Sequence, residues 1–171
     1  MATALRAKAI GMDVVFYDPY KQDGYDKTIG IRRAESVEEL LRQAFVLSVH
    51  CPLSSETKNM IDAEAINQLP MGAYLVNTAR GAIVDTSAIP DALASGRLAG
   101  AAIDVLVDEP PLPDNPLLVA WRDPKHPAYE RLIVNPHAAF YSEQGLMDMR
   151  IKGVDACRRA LLGLKLRNVV N

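Results

Sequence analysis

Long apolar runs are missing from this chain of 171 residues, and none approaches the ~18 positions that a membrane-spanning helix needs. Excess positive charge is missing too: 19 Lys and Arg against 21 Asp and Glu leave a net charge of −2. That balance excludes the basic face on which nucleic-acid binding depends. Cysteine is scarce. Cys51 and Cys157 are too few for a disulfide framework or a metal quartet, and reduced thiols in a cytoplasmic protein are expected. His50, His126 and His137 show no metal-ligand spacing with cysteine or with one another, so no metal site is expected. There is no internal repeat, no low-complexity tract and no G-x-G-x-x-G loop. The amino-terminal run carries Arg6 and Lys8 without acids, as targeting peptides do. It lacks their long apolar core and cleavage-like site, so a buried helix is the expectation there.

What is present is an ordinary globular composition, 49% hydrophobic and 23% charged, in a chain long enough for one domain with a core. Short β-branched apolar runs alternate with helical ones. A helical run over 4–10 stops at Gly11, and a strand over 14–17 ends on Asp18. Ser36 is placed to cap "SVEELLRQA", with Glu38 and Glu39 favourable in its first turn. "FVLSVH" (45–50) reads as a strand, and "DAEAINQLP" as a short helix capped by Asp62 and stopped by Pro70. "AYLVNT" (73–78), "GAAIDV" (100–105) and "RLIVNP" (131–136) are further strands. Asp85 caps the helix that closes at Gly96. Pro90 falls inside that helix, which implies either an irregular first turn or a start near Pro90 itself. A last long helix begins near Ser142, with Leu146, Met149, Gly153, Ala156, Ala160 and Leu164 on one face. Cys157 on that helix is expected in the core. The stretch 108–130 holds six of the eleven prolines and reads as a long loop. Trp121 within it either covers a site or a partner, or simply packs.

This alternation predicts a parallel sheet covered by helices. Ligands of such sheets bind at the carboxyl ends of the strands. Asp18, His50, Thr78, Arg80, Asp104 and His137 all fall at those ends.

Four strings then carry a family resemblance. "HCPLSSETKNMI" (50–61), "LVNTARGAIVD" (75–85), "GAAIDVLVDEP" (100–110) and "NPHAAFYSEQ" (135–144) follow one another in the order found in the D-isomer-specific 2-hydroxyacid dehydrogenases. The chain resembles their NAD-binding domain throughout its length, and the "HAA" and "YSEQ" elements resemble the branch that includes the C-terminal-binding protein corepressors. The fold implied is α/β: a Rossmann-type doubly wound parallel sheet lacking its first strand and glycine-rich loop, with residues 1–171 as part of an NAD-binding domain.

The resemblance implies a catalytic trio. Arg80 matches the arginine that grips the substrate carboxylate and carbonyl, Glu109 the acid paired with the histidine, and His137 the general acid/base. The chemistry needs these types. Reducing a 2-oxo acid builds negative charge on the carbonyl oxygen, so a proton donor must stand beside it. Imidazolium suits neutral pH, a nearby carboxylate keeps it protonated and oriented, and guanidinium offers a planar fork to a carboxylate. For NAD, Asp18 is similar to the acid that hydrogen-bonds the adenosine ribose, although a strand-end aspartate opening the "DPY" turn is the plainer reading of that residue alone. His50, Cys51, Pro52 and Leu53 resemble the segment along the adenine side. Thr78 and Ala79 resemble backbone contacts beside the nicotinamide ribose, with Arg80 and His137 adjoining the ring, and Asp104 resembles the acid that holds the carboxamide. Phe140 stands where those corepressors carry tryptophan, so their substrate preference does not transfer.

Relatives also begin with a substrate lobe, then a first strand and its phosphate loop. With these missing, two strands are expected to keep unpaired edges, and these residues alone are expected to bind NAD weakly and to turn over no 2-oxo acid. The closing "GLKLRNVVN" is expected to lead back toward the substrate lobe. A small 2-oxo or 2-hydroxy acid is the expected substrate, and a homodimer paired through the nucleotide domains the expected assembly. A corepressor-type NAD(H)-sensing protein and a truncated product without function of its own are the alternatives.

Overall fold

Six short strands form among the described residues, and every paired strand runs parallel to its neighbour, as the alternation with helices requires. The computed structural model describes residues 1–167 and 169. It divides into two units, Met1–Pro136 and a second beginning at His137. In the first unit, α1 (Ala2–Ala9) leads to β1 (Val15–Phe16), α2 (Tyr25–Ile29), β2 (Arg32–Arg33), α3 (Val37–Gln43) and β3 (Val46–Val49). Then follow α4 (Ala63–Gln68), β4 (Ala73–Asn77), α5 (Ile89–Ala94), β5 (Leu98–Ile103), α6 (Pro116–Arg122), α7 (Ala128–Arg131) and β6 (Leu132–Val134). The second unit consists chiefly of α8 (Glu143–Leu161).

The strands make two parallel sheets. One pairs β1 with β2, and the other runs β3-β4-β5-β6 in chain order. Among the described residues, β1 and β3 each pair along one edge only, which is the interruption expected of a doubly wound sheet without its central strand. In register across the larger sheet, Leu47 faces Leu75, Leu75 faces Ala101, and Ala101 faces Leu132. All four are buried, packed with Ile66 of α4, Leu69 just after it, Ile89 and Leu93 of α5 and Leu117 of α6. Each large aliphatic side chain removed from water here contributes about 1.5–3 kcal/mol. The alternate positions do not share that burial: Val46, Tyr74 and Ile133 are exposed. Helices of this unit thus cover the face that carries the buried row. The strands alternate buried and open instead of being buried throughout.

Helix starts follow their caps. The Ser36, Asp62 and Ser142 side chains accept from the backbone N–H of Glu39, Ala65 and Gly145, each three residues on. Asp85 caps a single 3₁₀ turn (Thr86–Ala88), and α5 then starts at Ile89 with Pro90 in its first turn, the position where the missing N–H costs nothing.

Three expectations need correction, and one open alternative is decided. The proline-rich stretch is not one loop, because Asn115 accepts from the N–H groups of Leu117 and Leu118 and launches α6 with Pro116 in its first turn. Trp121 in α6 is half-buried against the core, so packing is its role in this unit. Helix α1 forms but buries none of its residues, since only Ala4 and Ala7 are even partly covered. Cys157 is exposed, because no residue of α8 is buried within its unit. The closing segment reaches Asn168, Val170 and Asn171, and its expected path lies partly outside the described residues.

Candidate active site

Three segments leave the carboxyl ends of β3, β4 and β5 and are tied to one another through the backbone. After β3, the Thr57 hydroxyl donates to the carbonyl of Pro52 (2.7 Å), and its oxygen accepts from the N–H of Ser54 (2.8 Å), curling 52–57 into a closed turn. The chain then runs beside the segment after β4. Asn59 N–H donates to Ala82 O (2.8 Å), Ile61 N–H to Ile83 O (3.1 Å), and Asp85 N–H to Ile61 O (3.0 Å). Asn59 takes a left-handed conformation, φ 51°, at the start of this seam.

The segment after β4 is built on Asn77, which is wholly buried. Its side-chain oxygen accepts from Ala79 N–H and its amide donates to Arg80 O, both at 3.0 Å. Arg80 is exposed, and its guanidinium donates to the Ala79 carbonyl (2.7 Å). Gly81 follows because nothing larger fits: a Cβ there would lie 2.0 Å from the carbonyl carbon of Leu106. The segment after β5 starts with buried Asp104, whose N–H donates to Asn77 O (3.0 Å). It continues to Glu109, whose carboxylate accepts from Leu106 N–H (2.9 Å). The segments that carry Arg80 and Glu109 therefore meet through backbone, at Asp104 N–H against Asn77 O and at Gly81 against Leu106.

A cavity of about 500 Å³ opens between the first two segments, lined by His50, Cys51, Pro52, Leu53, Thr78, Ala79 and Arg80. Seven of the expected site residues are thus brought together. His50 Nε2 and Ser48 Oγ hydrogen-bond at 2.8 Å. Partial desolvation by the cavity wall, and then the positive chain terminus, lower the pKa of His50 although its side chain still reaches solvent. Burial raises that of the Cys51 thiol and keeps it protonated.

Asp18, Asp104 and Glu109 do not line this cavity. Asp18 closes the turn after β1, accepting from Tyr20 N–H (3.0 Å), with the Lys21 ammonium 3.9 Å away. Its plainer reading as a turn residue is realised. The same turn is nonetheless drawn to the cavity side, because the Tyr20 hydroxyl donates to Glu56 (2.8 Å) in the segment after β3. That hydrogen bond and the Glu56 charge also raise the pKa of the phenol. His137 opens the second unit. It is half-buried, holds a left-handed backbone (φ 53°), and meets the Phe140 ring edge-to-face at 6.1 Å. Such conformations are uncommon outside glycine and occur disproportionately at functional positions.

Two contributors escaped the reading of the sequence, Asn77 and Gly81. Both sit inside the "NTARG" string. The signal available was its form, a strand-end asparagine and a glycine directly after the arginine, residue types that serve turns and close backbone approach.

An open parallel α/β sheet with a cavity at its strand ends is the architecture of a nucleotide-binding domain. The "D-isomer specific 2-hydroxyacid dehydrogenase, NAD binding domain" family profile matches residues 1–139. The chain belongs to that family. A D-lactate dehydrogenase of Treponema pallidum is 38% identical over 167 residues, 95% of this chain and 49% of that protein. A crystal structure of a D-lactate dehydrogenase from the same organism superposes with a TM-score of 0.81 at 34% identity, covering 99% of this chain and 52% of that one. The D-lactate dehydrogenase of Aquifex aeolicus, solved with NAD and lactic acid, gives 0.76 at 32% identity, covering 94% and 49%. The chain spans about half the length of the curated relatives it matches. NAD is the cofactor of this domain, and the cavity suits it chemically, with an apolar wall (Pro52, Leu53), a cation (Arg80) and a carboxylate turn (Asp18) tethered alongside. Among the described residues no three His, Cys, Asp or Glu side chains are grouped to hold a metal, and no helix is long and apolar enough to cross a membrane.

Proposed function

We propose that this chain is the nucleotide-binding and acid–base portion of an NAD-dependent oxidoreductase that interconverts a D-2-hydroxy acid and its 2-oxo acid. The observation that carries the reading is the cavity formed where "NTARG" leaves β4, with Arg80 on its rim. The Asp18 carboxylate takes the adenosine ribose diol and repels a 2′-phosphate. His50, Cys51, Pro52 and Leu53 flank the adenine side, Thr78 and Ala79 the nicotinamide ribose, and Asp104 the carboxamide. When bound, NADH supplies the hydride that the carbonyl carbon accepts. Arg80 holds the substrate carboxylate through its planar fork. The His137 imidazolium donates its proton to the carbonyl oxygen as negative charge grows there, and Glu109 favours that charged form. Two unpaired thiols in the described residues suit a cytoplasmic setting. The corepressor-type alternative rests on the "HAA" and "YSEQ" elements alone, and no feature of the cavity favours it.

The cofactor assignment is tested by titrating the chain with NADH and NADPH while following nicotinamide fluorescence. NADH is expected to bind more tightly, with the preference lost in Asp18→Ala; equal affinities in the unaltered chain refute the assignment of Asp18. The acid–base assignment is tested by 2-oxo-acid-dependent NADH oxidation at high protein concentration: these residues alone are expected to show little or none, and whatever they show is expected to be lost in His137→Ala. Turnover that survives the substitution contradicts it.

A further inference from the structure

The strongest unassigned feature of the first unit is a polar side chain turned away from any ligand. Asn77 is wholly buried at the last position of β4, and both ends of its amide are spent on the segment that follows. Its oxygen fixes Ala79 N–H and its nitrogen fixes Arg80 O, each at 3.0 Å. Its own carbonyl accepts from Asp104 N–H, also at 3.0 Å, so the clamp is anchored to β5 as well. We infer that Asn77 is a positioning residue: it holds Thr78–Ala79–Arg80 in the one loop conformation that presents backbone and guanidinium to the cavity. This inference rests on the reading of that cavity as the cofactor and substrate site.

The physical case is one of satisfiability. An amide is a neutral side chain of this size that carries an acceptor and a donor two bonds apart. Aspartate at neutral pH keeps the acceptor for Ala79 but has no hydrogen for Arg80 O. Leucine offers neither and leaves the Ala79 N–H and the Arg80 carbonyl without their partner in a part-buried place, which frees the segment from β4. In Asn77→Asp the new carboxyl is buried, so desolvation raises its pKa, and once protonated it is an isostere of the amide that can again donate to Arg80 O.

The test compares Asn77→Leu and Asn77→Asp with the unaltered chain, each with its melting temperature recorded. NADH affinity is followed by fluorescence between pH 8 and pH 5 and expressed as the ratio to the unaltered chain at each pH, which cancels titration elsewhere. Asn77→Leu is expected to weaken NADH binding about tenfold, the loss expected of about one to two hydrogen bonds, at every pH. Asn77→Asp is expected to match that loss at pH 8 and to recover toward unity as pH falls. Ratios within twofold of unity for both variants overturn the inference. So does a loss in Asn77→Asp that tracks the melting temperature and shows no recovery in acid. If the unaltered chain binds no NADH, the proposed function is what fails. The clamp is then decided by phenylglyoxal labelling of Arg80, read by mass spectrometry. A rate in Asn77→Asp at pH 8 about threefold or more from the unaltered rate supports the clamp, and a smaller change overturns it.

Discussion

Gly81→Ala isolates one of the contacts that couple the arginine segment to the glutamate segment. The glycine has no positive φ to excuse it, so alanine is acceptable to the backbone and the whole effect is steric. The added Cβ would lie 2.0 Å from Leu106 C, 2.1 Å from Leu106 O and 2.5 Å from Val107 N. Carbon atoms rest at about 3.5–4.0 Å, so one segment must retreat by about 1.5 Å. The obstacle is backbone on both sides, and no rotamer can relieve it. Overpacking costs typically 1–3 kcal/mol, and a clash with main chain belongs at the upper end, about 2–3 kcal/mol, which lowers Tm by about 4–12 °C in a chain of this size. Leu106 N–H is also the donor to Glu109, so the retreat moves the carboxylate. Thermal and urea unfolding give the stability change, and NADH fluorescence reports whether the cavity opens with it. Gly153→Ala is the control: it lies in α8 with no atom within 4 Å of a new Cβ, and it should raise helix stability by up to about 1 kcal/mol. A Gly81→Ala protein melting within about 1 °C of the unaltered chain would refute the close approach and the coupling built on it.

Three further outcomes follow from the described contacts. Removing the part-buried cap in Asp62→Ala costs about 1 kcal/mol and lowers Tm by about 2–4 °C, readable by circular dichroism. The folded pKa of His50 lies below its unfolded value of about 6.5, so its contribution is intact above that pH and is lost as pH falls through the folded value. His50→Gln should therefore shrink the drop in urea midpoint between pH 7.5 and pH 5.5, and an unchanged drop would remove His50 from the account. Cys157 is exposed, whereas burial raises the pKa of Cys51 and keeps its thiol protonated, so a chromogenic disulfide at pH 7.5 should modify Cys157 first and Cys51 severalfold more slowly.

The parts of the fold legible in the sequence were those fixed by local chemistry. Ser36, Asp62, Ser142 and Pro90 each dictate a helix start through a hydrogen bond or a ring that acts within three residues, so no tertiary knowledge was needed. The misreadings on α1 and α8 were questions of partnership. The spacing on α8 defines an apolar side, but whether Cys157 on it meets another surface is decided elsewhere, and within its unit it meets none. Six prolines between 108 and 130 read as breakers, yet Asn115–Pro116 is a cap followed by a first-turn proline and so begins a helix. The site divides the same way. Arg80 and His50 were singled out because polar types stood at strand ends, and Cys51, Pro52 and Leu53 only through the family resemblance. Asn77 was missed because its work is turned inward, against backbone groups whose positions no pattern in the string records.

That division is itself a physical requirement. Arg80 and Glu109 are exposed, as the roles proposed for them require, so neither is held by a core around it. Their segments are instead fixed one step back. Asn77 clamps the arginine loop, Gly81 lets it rest on Leu106, and the seam from Asn59 to Asp85 locks the cavity wall. Every one of these ties ends on a backbone group, which stays in place when the ligand-facing side chains change. Such a scaffold can change the side chains it presents without moving, so substitutions at Asn77 or Gly81 are expected to impair the cavity whatever ligand it takes.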